Sequence, residues 1–205
     1  MSYQIRNISS ISPSQYPVYF FDANVWIYIL KYSQTTKIEK NLQPYIDLFE
    51  AIINLNSFTD PKIVKKIGIV PKIAITNMLL SEIINAYLRN VAMPSFLCCN
   101  PGEKNFKKDY RDFIHSDYDK QLKLIVSDIE AYSQFFNFYD DDFSSMNPID
   151  FIKNLDRSTD YNDMYYADQM RNLGIPIVTH DSDFVIEDIE IISNHTKLLK
   201  LSNKT

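Results

Sequence analysis

The sequence predicts an α/β fold with a mainly parallel sheet covered by helices. Three observations predict it. Short apolar runs (Val18 to Phe21, Ile73 to Thr76, Ile175 to Thr179 and Ile189 to Ile192) suit strands buried on both faces. Stretches with apolar residues at helical spacing lie between several of these runs. Strands that alternate with helices pack as a parallel sheet covered by helices.

Taken in order, Met1 to Ser10 is polar and has no apolar signal core. Val18 to Phe21 is the first strand, ended by Asp22. Asn24 to about Tyr32 follows as a helix that Asp22 or Asn24 can cap. From Leu42 to about Leu55, Ile46, Phe49 and Ile53 recur at helical spacing and give a second helix. Asp60-Pro61 marks a turn. Ile73 to Thr76 is the second strand, and a helix runs from Asn77 to about Asn90.

The region of about 91–158 differs in character. Asn100-Pro-Gly102 is a turn, while Glu103 to Phe113 and Tyr118 to Phe138 are expected to be helical. Tyr139 to Phe143 is an acidic loop, and Asn147-Pro148 opens another short helix. The region reads as a helical insertion within a single domain spanning 1–205. Alternation then resumes. Asn162 to Leu173 is a helix with Gly174 as its C-terminal cap. Ile175 to Thr179 and Ile189 to Ile192 are strands, and His195 to about Leu201 is a short helix.

With 205 residues, 45% of them hydrophobic, the chain can bury one sizeable core. Its 14 tyrosines and 13 phenylalanines argue against extended disorder. A net charge of -5 argues against a general polyanion binder but leaves room for a local basic patch. Cys98 and Cys99 are neighbours, so no disulfide framework is visible and a reducing compartment is expected. The histidines and cysteines lack zinc-ligand spacing. No run reaches the roughly 20 apolar residues of a membrane span, so a cytoplasmic protein is expected.

The acidic residues carry the chemistry. Asp22 and Asp181 each stand at the carboxyl end of an apolar strand, the edge where parallel sheets bind ligands. Glu82 lies on or beside the apolar face formed by Leu79, Ile83 and Ala86, where a lone carboxylate is unfavourable unless paired or metal-bound. Asp163 stands in the first turn of its helix. Asp160 and Asp183 are possible auxiliaries. Each acid has an ordinary alternative, an N-cap for Asp22 or Asp163 and a solvated position for Glu82, Asp181 or Asp183. Oxygen donors alone suit Mg²⁺ or Mn²⁺.

Asp22-Ala-Asn24 after a hydrophobic strand resembles the opening motif of the PIN-domain nucleases. Ser81-Glu82-Ile83 resembles that family's second acidic position. Asn162-Asp163 with Ala167, then Ile177 to Phe184, is similar to its C-terminal stretch, and the interval of 18 residues from Asp163 to Asp181 fits. The resemblance covers roughly 17–90 and 158–200; the region between departs from compact members.

The resemblance implies a three-layer α/β/α, PIN-like fold and a metal-dependent endoribonuclease of the VapC-like kind. Asp22, Glu82, Asp163 and Asp181 would be both catalytic residues and metal ligands, with Asp183 as an outer ligand. Asn24 and Thr179 would support them. RNA would be the substrate and Mg²⁺ or Mn²⁺ the cofactor, leaving a 5′-phosphate and a 3′-hydroxyl. A homodimer and an antitoxin protein are further implied partners, if the chain is the toxin of a type II toxin–antitoxin pair. The competing expectations are a housekeeping or defence RNA nuclease without an antitoxin, and a non-catalytic PIN-fold module that binds RNA or protein. A different α/β enzyme, a phosphatase with an aspartyl nucleophile, fits less well because Asp22-Ala-Asn24 lacks the second aspartate. His180, next to Asp181 on a strand end, should point away from it. Lys104, Lys107, Lys108 and Arg111 would line one helical face with Phe106 and Tyr110 interleaved, a candidate RNA-holding stripe or simply a solvated face.

Overall fold

A computed structural model describes residues 3–32, 39–58, 62, 65, 66, 68–141, 148–154 and 160–202. The turn expected at Asp60-Pro61 and the end of the acidic loop lie outside the described residues.

All four residues of Val18–Phe21 are buried, as expected for a strand covered on both sides. This strand, β2, belongs to one parallel sheet with β1 (Gln4–Asn7), β3 (Lys72–Ile75), β4 (Phe136–Phe138), β5 (Ile177–Val178) and β6 (Glu190–Ser193). The strand order is β1-β6-β5-β2-β3-β4. The helices are α1 (Ala23–Tyr32), α2 (Gln43–Asn56), α3 (Asn77–Tyr87), α4 (Met93–Cys99), α5 (Tyr118–Ala131), α6 (Pro148–Asn154), α7 (Tyr161–Leu173) and α8 (Thr196–Ser202).

Successive side chains of a strand face opposite sides of the sheet. Phe20 packs against Tyr166 of α7, with ring centroids 5.0 Å apart. Its neighbour Phe21 packs against Phe49 of α2 at 5.5 Å. α7 and α2 therefore cover opposite faces, which makes the three layers. Trp26 joins the second face, meeting Phe49 at 5.3 Å and Phe136 at 5.8 Å. Fully burying each such ring contributes about 1.5–3 kcal/mol.

The strand order places a functional edge. From β2 the chain moves to β3 and β4 on one side; from β5 it moves to β6 on the other. β2 and β5 are neighbours, with Phe20 beside Ile177 and Phe21 beside Val178. Their carboxyl ends flank the topological switch point, where open α/β sheets form a crevice.

Two strands depart from the sequence reading. β1 was hidden because only Ile5 of its four residues is buried, the pattern of an edge strand. The 91–158 region is not wholly helical. α5 ends at Ala131, a 3-10 turn spans Ser133–Phe135, and β4 then pairs in parallel with β3. Three residues at a sheet edge carry too little alternation to stand out from the helical pattern before them. The helix expected from Glu103 to Phe113 is only a π-helical segment over Phe106–Arg111, opened by Asn105, whose side chain accepts from the Lys108 N–H.

Candidate active site

Asp22 is the first residue beyond β2, and its backbone still belongs to the sheet: its N–H donates to the Val178 carbonyl at 3.0 Å. Its own carbonyl accepts from Val25 and Trp26 and starts α1. The chain thus turns sharply, leaving the carboxylate at the carboxyl edge, 5% exposed. One oxygen, Oδ2, accepts from Thr179 Oγ1 and from Asn24 Nδ2, both at 2.7 Å. Thr179 is fully buried, held by its N–H to the Ile192 carbonyl. Its hydroxyl oxygen also accepts from the Asp181 N–H at 3.0 Å. Asn24 and Thr179 thus both bond Asp22, and Thr179 links Asp22 to the loop bearing Asp181.

That loop is fixed from its far side as well. The Asp183 N–H donates to Asp181 Oδ1 at 2.8 Å. The Asp183 carboxylate itself is exposed and bound to Lys197 at 2.7 Å, which holds it below the usual carboxylate range. Asp183 thus braces Asp181 through its backbone, while its carboxylate, expected as an outer ligand, pairs with Lys197.

Glu82 reaches the cluster from α3. Its Oε2 accepts from the Tyr166 hydroxyl at 2.7 Å and from Asn162 Nδ2 at 3.3 Å, both on α7. Asp163 stands between those two residues in the sequence. Its N–H donates to Asp160, which caps the helix. Asp160 is thus a capping residue.

The acids feel one another. Burial pushes the Asp22 carboxyl up to about 7, and the negative charges of Glu82 and Asp181 add to the rise. Burial pushes Asp163 up to about 8, with further repulsion from Asp160, Asp22, Asp181 and Glu82. Four acids distant in sequence thus share one field. Among the described residues, no lysine or arginine pairs with Asp22, Glu82, Asp163 or Asp181. The donor set, carboxylate oxygens backed by hydroxyl and amide groups, fits a hard divalent cation. Among the described residues no three acidic, histidine or cysteine side chains form a ready coordination group.

Other expected features take different places. His180 turns away from the acids, its Nδ1 lying 3.0 Å from the Tyr45 hydroxyl and its ring 5.1 Å from that of His195. The basic stripe does not form. Lys104 precedes the π-helical segment, with a left-handed φ of 65°. Lys108 pairs with Glu103 at 2.9 Å, Arg111 with Asp112 at 2.9 Å, and Lys107 approaches Asp112 at 4.0 Å. Tyr110 is buried and Phe106 lies under the Arg89 guanidinium at 4.4 Å, so neither ring is a free stacking platform. The acids that neutralise the stripe, Glu103 and Asp112, were in the sequence, but their pairing depended on the loop geometry.

Sequence reasoning missed Tyr166 and Asn162 as partners of Glu82, and Asp141. Asp141 follows β4, caps α3 through the Met78 N–H at 3.2 Å, and its charge reaches Tyr166. Their spacing puts Asn162 and Tyr166 on one helix face, but nothing in the sequence says that Glu82 lies opposite that face. A cavity of about 510 Å³ between α1, α2 and Tyr132 is lined mainly by apolar residues such as Ile29 and Phe49, and none of the four acids lines it. Among the described residues no helix is long and apolar enough to cross a membrane. Comparison with protein-family models, curated proteins and solved structures finds no match to this chain.

Proposed function

We propose that this protein is a divalent-metal-dependent endoribonuclease in which Asp22, Glu82, Asp163 and Asp181 hold Mg²⁺ or Mn²⁺. One observation supports the cation half of the reading: Asp22 and Asp181 follow adjacent strands at the switch point, the charges of Glu82 and Asp181 raise Asp22, and among the described residues no cationic side chain pairs with any of the four acids. A negative cluster of this kind repels a phosphodiester unless a cation lies between them. The RNA half rests on the sequence resemblance to PIN-domain nucleases.

When bound, such an ion supplies Lewis-acid charge and makes water a nucleophile near neutral pH. The chain's own residues prepare for it. Thr179 and Asn24 fix the Asp22 carboxylate through one of its oxygens. Asp22 and Asp163 would hold the ion in their ionised forms, because a ligating carboxylate is deprotonated. Thr179 and the Asp183 N–H keep Asp181 at the same edge. His180 takes no part as a base, since its ring faces Tyr45 and His195.

The test is hydrolysis of mixed RNAs by the purified protein. New 5′-phosphate and 3′-hydroxyl ends should appear with Mg²⁺ or Mn²⁺ and vanish with EDTA. Cleavage that persists in EDTA sinks the mechanism. Binding without any cleavage favours the non-catalytic module. A toxin of a toxin–antitoxin pair should arrest growth on expression, with relief by Asp22→Asn; normal growth beside an active enzyme favours a nuclease without an antitoxin.

A further inference from the structure

Glu82 is held differently from the other three acids. Its Oε2 accepts two hydrogen bonds, from Tyr166 at 2.7 Å and Asn162 at 3.3 Å. A carboxylate oxygen has two lone-pair sites, so these bonds saturate Oε2. Among the described residues nothing bonds Oε1. The phenol that makes the shorter bond cannot easily swing away. Tyr166 is 1% exposed, and its ring is wedged against Phe20 at 5.0 Å and Tyr165 at 6.3 Å. Its only proton is committed to Glu82. Tyr166 and Asn162 stand four residues apart on one face of α7, so a rigid helix presents both donors together.

Coordination chemistry gives this arrangement a consequence. Mg²⁺ takes six ligands in a near-ideal octahedron and uses carboxylates through single oxygens. Ca²⁺ takes 6–8 oxygens and often draws both from one carboxylate. A Glu82 with one oxygen already engaged suits the first ion and handicaps the second. We infer that Tyr166 is a positioning residue that restricts Glu82 to one-oxygen coordination and so favours Mg²⁺ or Mn²⁺ over Ca²⁺. The inference rests on the metal-site reading above and adds to it a determinant of ion choice.

The experiment is calorimetric titration of Mg²⁺ and Ca²⁺ into the full chain, its Tyr166→Phe variant and its Asn162→Ala variant, with circular dichroism confirming each fold. Phe keeps the ring against Phe20 and removes only the hydroxyl. In Tyr166→Phe the Mg²⁺ Kd should rise about 10-fold, the lower end for loss of a ligand's hydrogen-bond partner. The Ca²⁺ Kd should change little or fall, so the preference for Mg²⁺ narrows by about the same factor. Asn162→Ala should shift the preference in the same direction by less, and it serves as the test if the Phe variant does not fold. A general loosening of the site weakens both ions together. An unchanged preference, or tighter Mg²⁺ binding in Tyr166→Phe, overturns the inference while leaving the metal site standing. A wild-type protein that binds neither ion overturns both.

Discussion

At the scale of single residues, Asp22 sits at the junction of the site's hydrogen bonds. Its carboxylate is buried, bonded by two neutral donors and surrounded by like charge. Asp22→Asn should abolish cation-dependent RNA cleavage while leaving the fold intact, because the amide keeps the shape and loses the charge; circular dichroism and the cleavage assay together check this. Thr179→Val removes the hydroxyl that orients Asp22 and receives the Asp181 N–H. It should weaken cation binding by about 10–100-fold without abolishing it; wild-type affinity in this variant would show that Thr179 does not orient the ligand. Asp22 and Asp181 could be read from the sequence because each follows a short apolar strand. Tyr166 could not, since a tyrosine on a helix face beside Tyr165 looks like any core aromatic. Its role appears only when α3 and α7 meet and Glu82 comes within reach.

At the scale of elements, α7 shows how local signals place the site. Asp160 fixes its start and Gly174 its end, the latter with φ of 66°, in the left-handed region. The stretch between them positions Asn162, Asp163 and Tyr166. A Cβ on Gly174 would meet nothing within 4 Å, so Gly174→Ala should destabilise by backbone strain alone, about 1–2 kcal/mol in chemical denaturation. A null effect would mean that the cap relaxes. Tyr45 performs a similar task for α2. Its hydroxyl meets the Thr179 carbonyl, His180, Ser193 and the Asn194 N–H, tying the helix to the ends of β5 and β6. Tyr45→Phe leaves those buried groups without their partner and should cost about 1–3 kcal/mol. Central strands and capped helices were legible because burial and caps leave marks on the sequence. β1 and β4, at the two sheet edges, were not, because short edge strands carry weak patterns. The basic stripe was misread for a related reason: helical spacing predicts one face only if the backbone is an α-helix, and Lys104 lies outside any helix.

At the scale of the molecule, the fold gathers charge at one edge against its own stability. Asp22 and Asp163 keep their protons to about 7 and 8, whereas an unfolded chain loses them near 3.8. Between those limits the folded state binds more protons, so these two groups make stability fall as pH rises, and the penalty is complete above about 8. Without divalent ions, the melting temperature of Asp22→Asn should therefore exceed that of the wild type, by a margin that grows from pH 5 to pH 8. Mg²⁺ should narrow the margin at pH 8 by stabilising the wild-type protein. A margin that shrinks with pH would contradict the repulsion. The switch point explains why Asp22 and Asp181 come to one edge: β2 and β5 are adjacent at the centre of the sheet, with β3 and β4 on one side and β6 and β1 on the other.

If the four acids together hold a divalent cation, the protein must take up Mn²⁺. Electron paramagnetic resonance of free Mn²⁺ titrated into the protein at pH 8 tests it most directly. Wild-type protein should deplete the free signal saturably, and Asp22→Asn and Asp181→Asn should each lose most of that binding. A wild-type protein that leaves the signal untouched, or variants that bind Mn²⁺ as the wild type does, would contradict it.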